Sequence, residues 1–502
     1  MSISHFIKLI IISVLTTTCV QVFGQNKLLE RNFWKLAPNL SDVKTLVAEG
    51  NSPTELNSYS FDPLALALIE HASNDILEYF LEFDNNDVNK LTHDGRTYIF
   101  WAAYGNNKTF METLLEFGAR TNIIDEHGYS LLNFTAVTGN KQKDIYDLII
   151  ENGANPSEEV NRDGANALLL LLPFLDTNEF VDYFQNNGLK ITDKDKYGAT
   201  ALLYAAKGGN TKLIEWLVSE GLNLNITDDK GQNAAHYAAK GLRKKDQKLE
   251  IFEYLNKCSI PLDLLSLTGQ TPLTIYAKGR TDFKIIEYLI AAGNDPFLIP
   301  ELGRSAFMSM AGSKDFIGLE KINLDVKSIN LFNNKGETAL LIASKYANAQ
   351  SFNFLIDNGA DIFAQDKNDK NIVAYLFEGY RQSMHDNFML KFEILQSKGI
   401  DFSAILPDGN TLFHKAVVLN KRPLINLLSN YNDNINHVNR DGLTALHIAV
   451  MKGKNTEIIT ALIDQGASVS IKTVFGESTL DLAVENEQLS LYMDKLTPVL
   501  GK

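Results

Sequence analysis

The chain has 502 residues, is 45% hydrophobic and carries a formal net charge of −14. That apolar content over that length readily builds an extended core. The acidic balance is repelled by phosphate backbones and anionic lipid, which sets aside nucleic acid and charged membrane surfaces as partners.

The first segment differs in kind from the rest. Lys8 precedes the apolar run Leu9 to Leu15, and Val22, Phe23 and Gly24 occupy the positions a signal peptidase reads, with Gln25 as the mature start. The run is shorter than the roughly 20 residues a spanning helix needs, so residues 1–24 are predicted to be a cleaved secretory signal peptide. No membrane insertion is expected after cleavage, and the protein is expected in the periplasm or secreted. Cys19 supports a rival reading, a lipid anchor, but Thr16, Thr17 and Thr18 stand where a bacterial lipobox places Leu and small residues. Cleavage leaves Cys258 alone, so no intrachain disulfide is available in an oxidising compartment.

Residues 25–59 read as a degenerate capping helix pair, centred on Leu28 to Gly50, with Glu30, Arg31, Lys35 and Asp42 on a polar outer face. Asp62, Pro63 and Leu64 then open a regular unit that continues through Ile76 to Phe83.

From there one mark recurs twelve times: Gly95, Gly128, Gly164, Gly198, Gly231, Gly269, Gly303, Gly336, Asp369 in place of Gly, Gly409, Gly442 and Gly476. The separations are 33, 36, 34, 33, 38, 34, 33, 33, 40, 33 and 34 residues. A period of that size held over most of a chain predicts a stack of like supersecondary units, quasi-one-dimensional in its contacts. Two residues past each mark stands Ser, Thr or Asn: Thr97, Ser130, Asn166, Thr200, Asn233, Thr271, Ser305, Thr338, Asn371, Thr411, Thr444 and Ser478. Their side-chain oxygens cap a helix start, worth about 0.5–2 kcal/mol each. Two further on, the position is apolar throughout, from Ile99 to Leu480, and is predicted to be the first buried residue of each helix. A second apolar helix follows, often released by a glycine such as Gly118, Gly221 or Gly466.

Three steps depart from the period. The 36- and 38-residue steps are expected to lengthen turns, and the 40-residue step carries residues 379–387 between its helices. The unit from Gly303 to Lys335 lacks a clear end to its second helix and reads as an irregular joint. Residues 475–502, with Glu485, Glu487, Asp494 and Lys495, read as a C-terminal capping repeat that closes the array of residues 60–474.

The segment from Asp441 to Ala449, the run Gly269 to Thr274 and the close Asn358 to Asp361 resemble ankyrin repeats, whose first helix carries a Thr-Pro-Leu-His-x-Ala motif. Among the twelve marked units Pro272 is the only proline in that motif position, and His occupies its place only as His236, His414 and His447. The resemblance implies an all-α ankyrin-repeat solenoid of about fourteen helix-turn-helix units with projecting loops, a curved stack that binds proteins through its concave face and fingers.

Catalytic and metal chemistry finds little purchase. Asp193 and Asp195 imitate a calcium loop, but Tyr197 and Tyr204 stand where oxygen ligands belong. Lys207 to Thr211 imitates a phosphate loop but falls in the turn between two repeat helices. The in-phase histidines read as hydrogen-bonding residues that bridge neighbouring loops. No enzyme, cofactor or metal is expected.

Candidate partner-binding residues fall in two sets. Nine places past the mark, near the end of the first helix, the regular units have Tyr104, Val137, Lys207, Lys240, Lys278, Gly312, Lys345, Val418 and Met451, and the four central lysines make a stripe on an acidic protein. The stripe reads either as a docking track for an acidic partner or as ordinary exposed helix lysines. The finger tips supply His93, Arg96, His127, Tyr129, Tyr197 and Lys230, suited either to recognition or to solvated loops. The expected protein is a monomeric scaffold or accessory factor outside the cytoplasm; a released effector that binds proteins of another cell is the alternative.

Overall fold

In the computed structural model the described residues are 26–501, apart from 244, 302 and 315–317. The predicted signal segment and Cys19 lie outside the described residues. Every regular element among them is helical, and the only β features are the isolated bridges Lys194–Thr200 and Phe332–Thr338. The described residues divide into two compact blocks, one up to residue 229 with 241–245 and one of 230–240 with those from 246 on.

In the N-terminal block the pairs run in order, for example Tyr98–Tyr104 with Lys108–Glu116 and Ala201–Gly208 with Thr211–Ser219. The degenerate first pair is Arg31–Trp34 with Leu40–Ala48. In the C-terminal block the series continues through Ala234–Lys240 with Leu249–Lys257 to Thr479–Glu485 with Met493–Leu500. The first helices bury most of their small and apolar residues, as with Ile99, Ala102 and Ala103 in one block and Leu340, Ile342 and Ala343 in the other, and leave an apolar side chain exposed at the end of some, such as Tyr104 and Val418. The first apolar position after each cap is buried from Ile99 to Leu446, and only Leu480, packed from one side, is partly exposed.

The mark works by backbone conformation. All eleven glycines there have φ between 70° and 138°, a region that a Cβ disfavours, and Asp369 enters it too at 57°. Asp and Asn tolerate that region better than other residues, which keeps the repeat in phase without its glycine. Asp369→Gly is therefore expected to stabilise the C-terminal block by about 1 kcal/mol. A rise in the urea midpoint checks this, and an unchanged midpoint would mean that the Asp side chain offsets its strain.

Caps follow as predicted at Ser130, Asn166, Thr271, Ser305, Thr338, Asn371, Thr444 and Ser478, each accepting an N–H three residues on. Thr97 and Thr200 keep the extended cap backbone but their hydroxyls make no cap bond. The helix still starts, because the backbone geometry alone releases it.

The irregular steps resolve differently from one another. In the 38-residue step the additional residues lie in the turn before Leu249–Lys257. In the 40-residue step, by contrast, the 379–387 segment is not simply a loop. It forms a 3-10 turn, Gln382–Met384, and then starts a 13-residue second helix, His385–Ser397, where the preceding repeat has the nine-residue Ala349–Asp357. The joint after Gly303 keeps its first helix, Ala306–Ala311, but replaces the second by the 3-10 turn Leu319–Lys321 and the four-residue helix Val326–Ile329.

Candidate partner-binding surface

Each finger is a turn locked by its own side chain. Three residues before the mark, Asp125 Oδ1 accepts the N–H groups of His127 and Tyr129 at 2.9 and 2.8 Å. The same pair of bonds recurs at Asn161, Asp195, Asn333, Asp366 and Asn439. Asp or Asn three residues before the mark is thus a second in-phase position, a cap on the turn, and it is visible in the residue pattern alone. Successive fingers are also joined through the backbone: Glu126 N donates to Asp94 O at 2.9 Å, Lys196 N to Asp163 O at 2.9 Å and Lys367 N to Lys335 O at 2.9 Å. A row of fingers tied in this way gives side chains a rigid base, which lowers the entropy lost on binding.

The finger-tip residues separate once placed. Arg96, expected to face a partner, is instead buried, at 9% exposure. Its Nε and Nη1 donate to Asp125 Oδ2 at 2.8 Å and Asp94 Oδ2 at 3.0 Å, while the guanidinium lies 4.5 Å from the Phe134 ring centroid and 5.3 Å from that of Trp101. It glues two fingers to the first helices. His93 is half-buried, its Nδ1 2.8 Å from Tyr59 O and its ring 4.3 Å from that of Phe61. Tyr129 is half-buried as well, and burial pushes its phenol pKa up. Tyr197 is half-buried with the Lys196 ammonium 4.9 Å from its ring. His127 and Lys230 are exposed, with His127 Nε2 3.1 Å from Asp94 Oδ2.

The residues at the ends of the first helices differ as much. Tyr104 is 44% exposed and packs its ring against Trp101 and Phe134, with centroids 6.4 and 6.5 Å apart. Lys207 is half-buried, and burial pulls its pKa below the ordinary lysine value. Lys240 is exposed but bonds Gln232 Oε1 at 2.5 Å and lies 4.2 Å over Tyr237. Lys345 is paired with Glu378 at 2.9 Å, which Lys370 also meets at 2.6 Å. Burial works against the charged Glu378, but bonds from the two lysines outweigh it and hold its pKa below the usual carboxylate range. Lys278 is exposed and stands beyond the end of its helix, Pro272–Tyr276. The lysines recur in sequence, yet their surroundings do not.

The helix pairs, turned fingers and buried caps match a known family. A family model described as Ankyrin repeats (3 copies) matches residues 64–160, 168–260, 367–473 and 413–491, and one described as Ankyrin repeat matches 335–367. The chain belongs to the ankyrin repeat family. It is 28% identical over 176 residues to the palmitoyltransferase AKR1 of Lachancea kluyveri, covering 34% of this chain and 22% of that protein. It is 30% identical over 149 residues to FPV031 of Fowlpox virus, named as an ankyrin repeat protein, covering 29% and 42% of the two chains. YahD of Escherichia coli, also named as an ankyrin repeat protein, is 29% identical over 162 residues, covering 31% and 77%. The chain thus spans about a fifth of the yeast enzyme's length and about two fifths of the viral protein's. Among solved structures, the human ASB11 ankyrin repeat domain aligns at 19% identity with a TM-score of 0.34, covering 47% of this chain and 100% of that one.

The ankyrin grid accounts for the apparent motifs. His236, His414 and His447 are buried, and in each Nδ1 faces the cap residue of its own helix while Nε2 reaches the next repeat, at Gln270 O (3.1 Å), Leu443 O (3.0 Å) and Ile471 O (2.9 Å). Asp195 spends its oxygens on Tyr197 N, Ala199 N and the Tyr204 hydroxyl, the last at 2.9 Å. Asn210 caps Thr211–Ser219 by accepting from Lys212 and Leu213 N–H, so the phosphate-loop imitation is a helix-helix turn. Among the described residues no group of three or more His, Cys, Asp or Glu is placed to hold a metal ion, and no helix is long and apolar enough to cross a membrane.

Two cavities open in the C-terminal block. One, of about 400 Å³, sets Lys335, Lys345, Lys367 and Lys370 against Glu337, Asp366 and Glu378, so that most of its charge is met within the chain. The other, of about 710 Å³, lies by the irregular joint and is lined by Lys278, Arg280, Arg304 and Lys314.

Proposed function

We propose that this ankyrin repeat chain is a non-catalytic, monomeric scaffold or accessory factor that works outside the cytoplasm and binds a partner protein through its finger tips and the ends of its first helices. The observation that supports it best is the layer running from exposed Tyr104 through Trp101, Phe134, Arg96 and Asp94 to exposed His127. It presents a large aromatic and a polar ring on side chains already held by packing and ion pairs. Such rigid aromatic anchors concentrate binding energy at interfaces. Export rests on Lys8 and the apolar run Leu9 to Leu15.

Capture on the immobilised full chain, followed by titration of the isolated partner, tests the surface. Tyr104→Ala is expected to raise Kd by about tenfold or more, equivalent to roughly 1.4 kcal/mol, with the tryptophan-reported unfolding midpoint as the check on folding. If Tyr104→Ala and His127→Ala both leave Kd unchanged, this surface is not the one used. Fractionation with sequencing of the mature amino terminus tests export: Gln25 outside the cytoplasm is the expected result, and a cytoplasmic protein that retains Met1 overturns it.

A further inference from the structure

We propose that four consecutive fingers of the N-terminal block dock an amphipathic helix of the partner protein, one with an apolar residue at about every seventh position and Lys or Arg beside it. This deepens, and rests on, the reading of the chain as a protein-binding scaffold. Four residues before successive marks stand Leu56, Leu91, Ile124 and Val160, where Ser60, with φ of 60°, is the mark of the first regular unit. All four are between 42% and 60% exposed. A single exposed apolar residue is ordinary, but one at the same place in four successive repeats makes an apolar row. Lys194 ends the row, and in the C-terminal block Gln365 interrupts its counterpart between Phe332 and Ile405.

The row has a rigid base. The residue after each member donates its backbone N–H across the finger: Asn57 to Phe61 O at 2.8 Å, Thr92 to Arg96 O at 2.8 Å, Asp125 to Tyr129 O at 2.9 Å and Asn161 to Ala165 O at 3.0 Å. Each junction between these fingers is tied as well, by His93 Nδ1 with Tyr59 O at 2.8 Å, Glu126 N with Asp94 O at 2.9 Å and Arg162 Nη2 with Glu126 O. A surface fixed before binding loses less entropy when a partner arrives.

Spacing selects the occupant. Stacked helices lie about 8–10 Å apart, so three steps along the row cover about 24–30 Å. Apolar side chains one heptad apart on a helix advance about 10.5 Å per step, and a helix laid at a slight incline keeps one on every finger. Same-face residues of a strand advance only about 6.6–6.8 Å and fall out of step within two fingers. Charge selects what flanks the apolar face. Residues 55–60, 90–96, 123–129 and 159–165 hold six acids against three Lys and Arg. Of those three, Lys90 pairs with Asp62 at 2.7 Å, Arg96 with Asp125 at 2.8 Å, and Arg162 is bonded to Glu126 O. The Glu126 side chain is exposed, and Glu159 Oε2, next to Val160 in the chain, is buried without a hydrogen bond among the described residues. An incoming ammonium or guanidinium supplies the partner that such a carboxylate lacks.

The test uses the full-length chain and a fluorescent Ala-rich peptide of about 22 residues, three heptads and one residue more, with Leu at every seventh position and Lys on either side of it. Its controls are a peptide of the same composition in scrambled order and one with Glu for Lys. Binding weakened by salt, and at least about tenfold tighter than that of either control, is expected. Leu91→Ser with Ile124→Ser should weaken it by about tenfold or more with the tryptophan-reported unfolding midpoint unchanged, while Leu491→Ser, an exposed apolar change in the other block, should leave it alone. Equal binding of the scrambled peptide, no binding at all, or full retention in the double variant would each overturn the proposal. So would binding to phosphatidylcholine vesicles, or self-association in sedimentation, that the double variant loses, since the row would then be a lipid contact or a face for a second copy. If the captured partner still binds the double variant while Tyr104→Ala loses it, only this assignment fails; if neither change affects the partner, the scaffold surface itself is wrong.

Discussion

Asp62→Ala is expected to destabilise the N-terminal block by about 3–5 kcal/mol, the range for removing one member of a buried ion pair. Asp62 is fully buried, and its two oxygens serve three donors. Oδ1 caps Pro63–Ile69 by accepting Ala65 N–H at 2.8 Å, while Oδ2 takes the Tyr98 hydroxyl at 2.6 Å and faces Lys90 Nζ at 2.7 Å. Lys90 also donates to Thr54 O at 2.8 Å and Asn86 Oδ1 at 3.0 Å, so one carboxylate ties the capping segment to the first two regular repeats. Burial, with Asp62 second, pushes the Tyr98 phenol far above its ordinary pKa, which keeps it a donor at any working pH. Without Asp62 the helix loses its cap, about 1 kcal/mol, and Lys90 keeps a charge with no counter-ion. All three tryptophans, Trp34, Trp101 and Trp216, lie in the N-terminal block, so fluorescence during urea unfolding reads this block by itself. Asp62→Asn, which retains an acceptor for Ala65, should lose less. A fluorescence midpoint for Asp62→Ala equal to that of the parent would refute the account.

The second large effect is a pH dependence centred on Lys391. This lysine is 3% exposed and donates to Ser344 O at 2.7 Å and Ala347 O at 3.0 Å, with Ala343 O at 3.4 Å, around the end of Ala339–Tyr346. In regular repeats an Asn before the second helix does this work, as Asn140 does for Ala103 O and Asn486 for Val450 O. Here Asn387, at the end of the insertion, still donates to Ala347 O at 3.1 Å, and the lengthened helix His385–Ser397 brings Lys391 over that carbonyl and those of Ser344 and Ala343. Burial pulls its pKa from 10.5 to about 8. Below about pH 8 both folded and unfolded states hold the proton and nothing changes. Between about 8 and 10.5 the unfolded chain binds more protons than the folded one, so stability rises with pH. Relative to Lys391→Met, the parent should therefore gain about 3 kcal/mol across that window. Circular dichroism of the tryptophan-free C-terminal block measures it, and a flat difference between the two proteins would show that the ammonium is not desolvated.

What could be read before folding was whatever a residue does within its own repeat. The left-handed turn at Gly95 or Gly442, the cap at Thr444 and the buried Leu446 depend on neighbours a few positions away, so a one-dimensional pattern carries them. Even Asp369 kept phase, because its backbone could adopt the conformation that Gly supplies elsewhere. The turn caps at Asp125 and Asn439 were equally legible and were missed only because one in-phase position was read and the other was not.

The candidate surface was less legible, since its character depends on residues a whole repeat away. Arg96 reads as a finger tip until Asp125 and Phe134 close over it from the next repeat. Lys345 and Lys278 hold the same place in the repeat, yet Glu378, 33 residues on, faces Lys345 at 2.9 Å, whereas no described acid comes within 4.0 Å of Lys278. The repeat, its helices and the positions that leave the core follow from the order of residues. Which of those exposed charges are already satisfied follows from folding, because each repeat contributes the electrostatic surroundings of its neighbour and the periodic signal is, by its nature, the same for all of them.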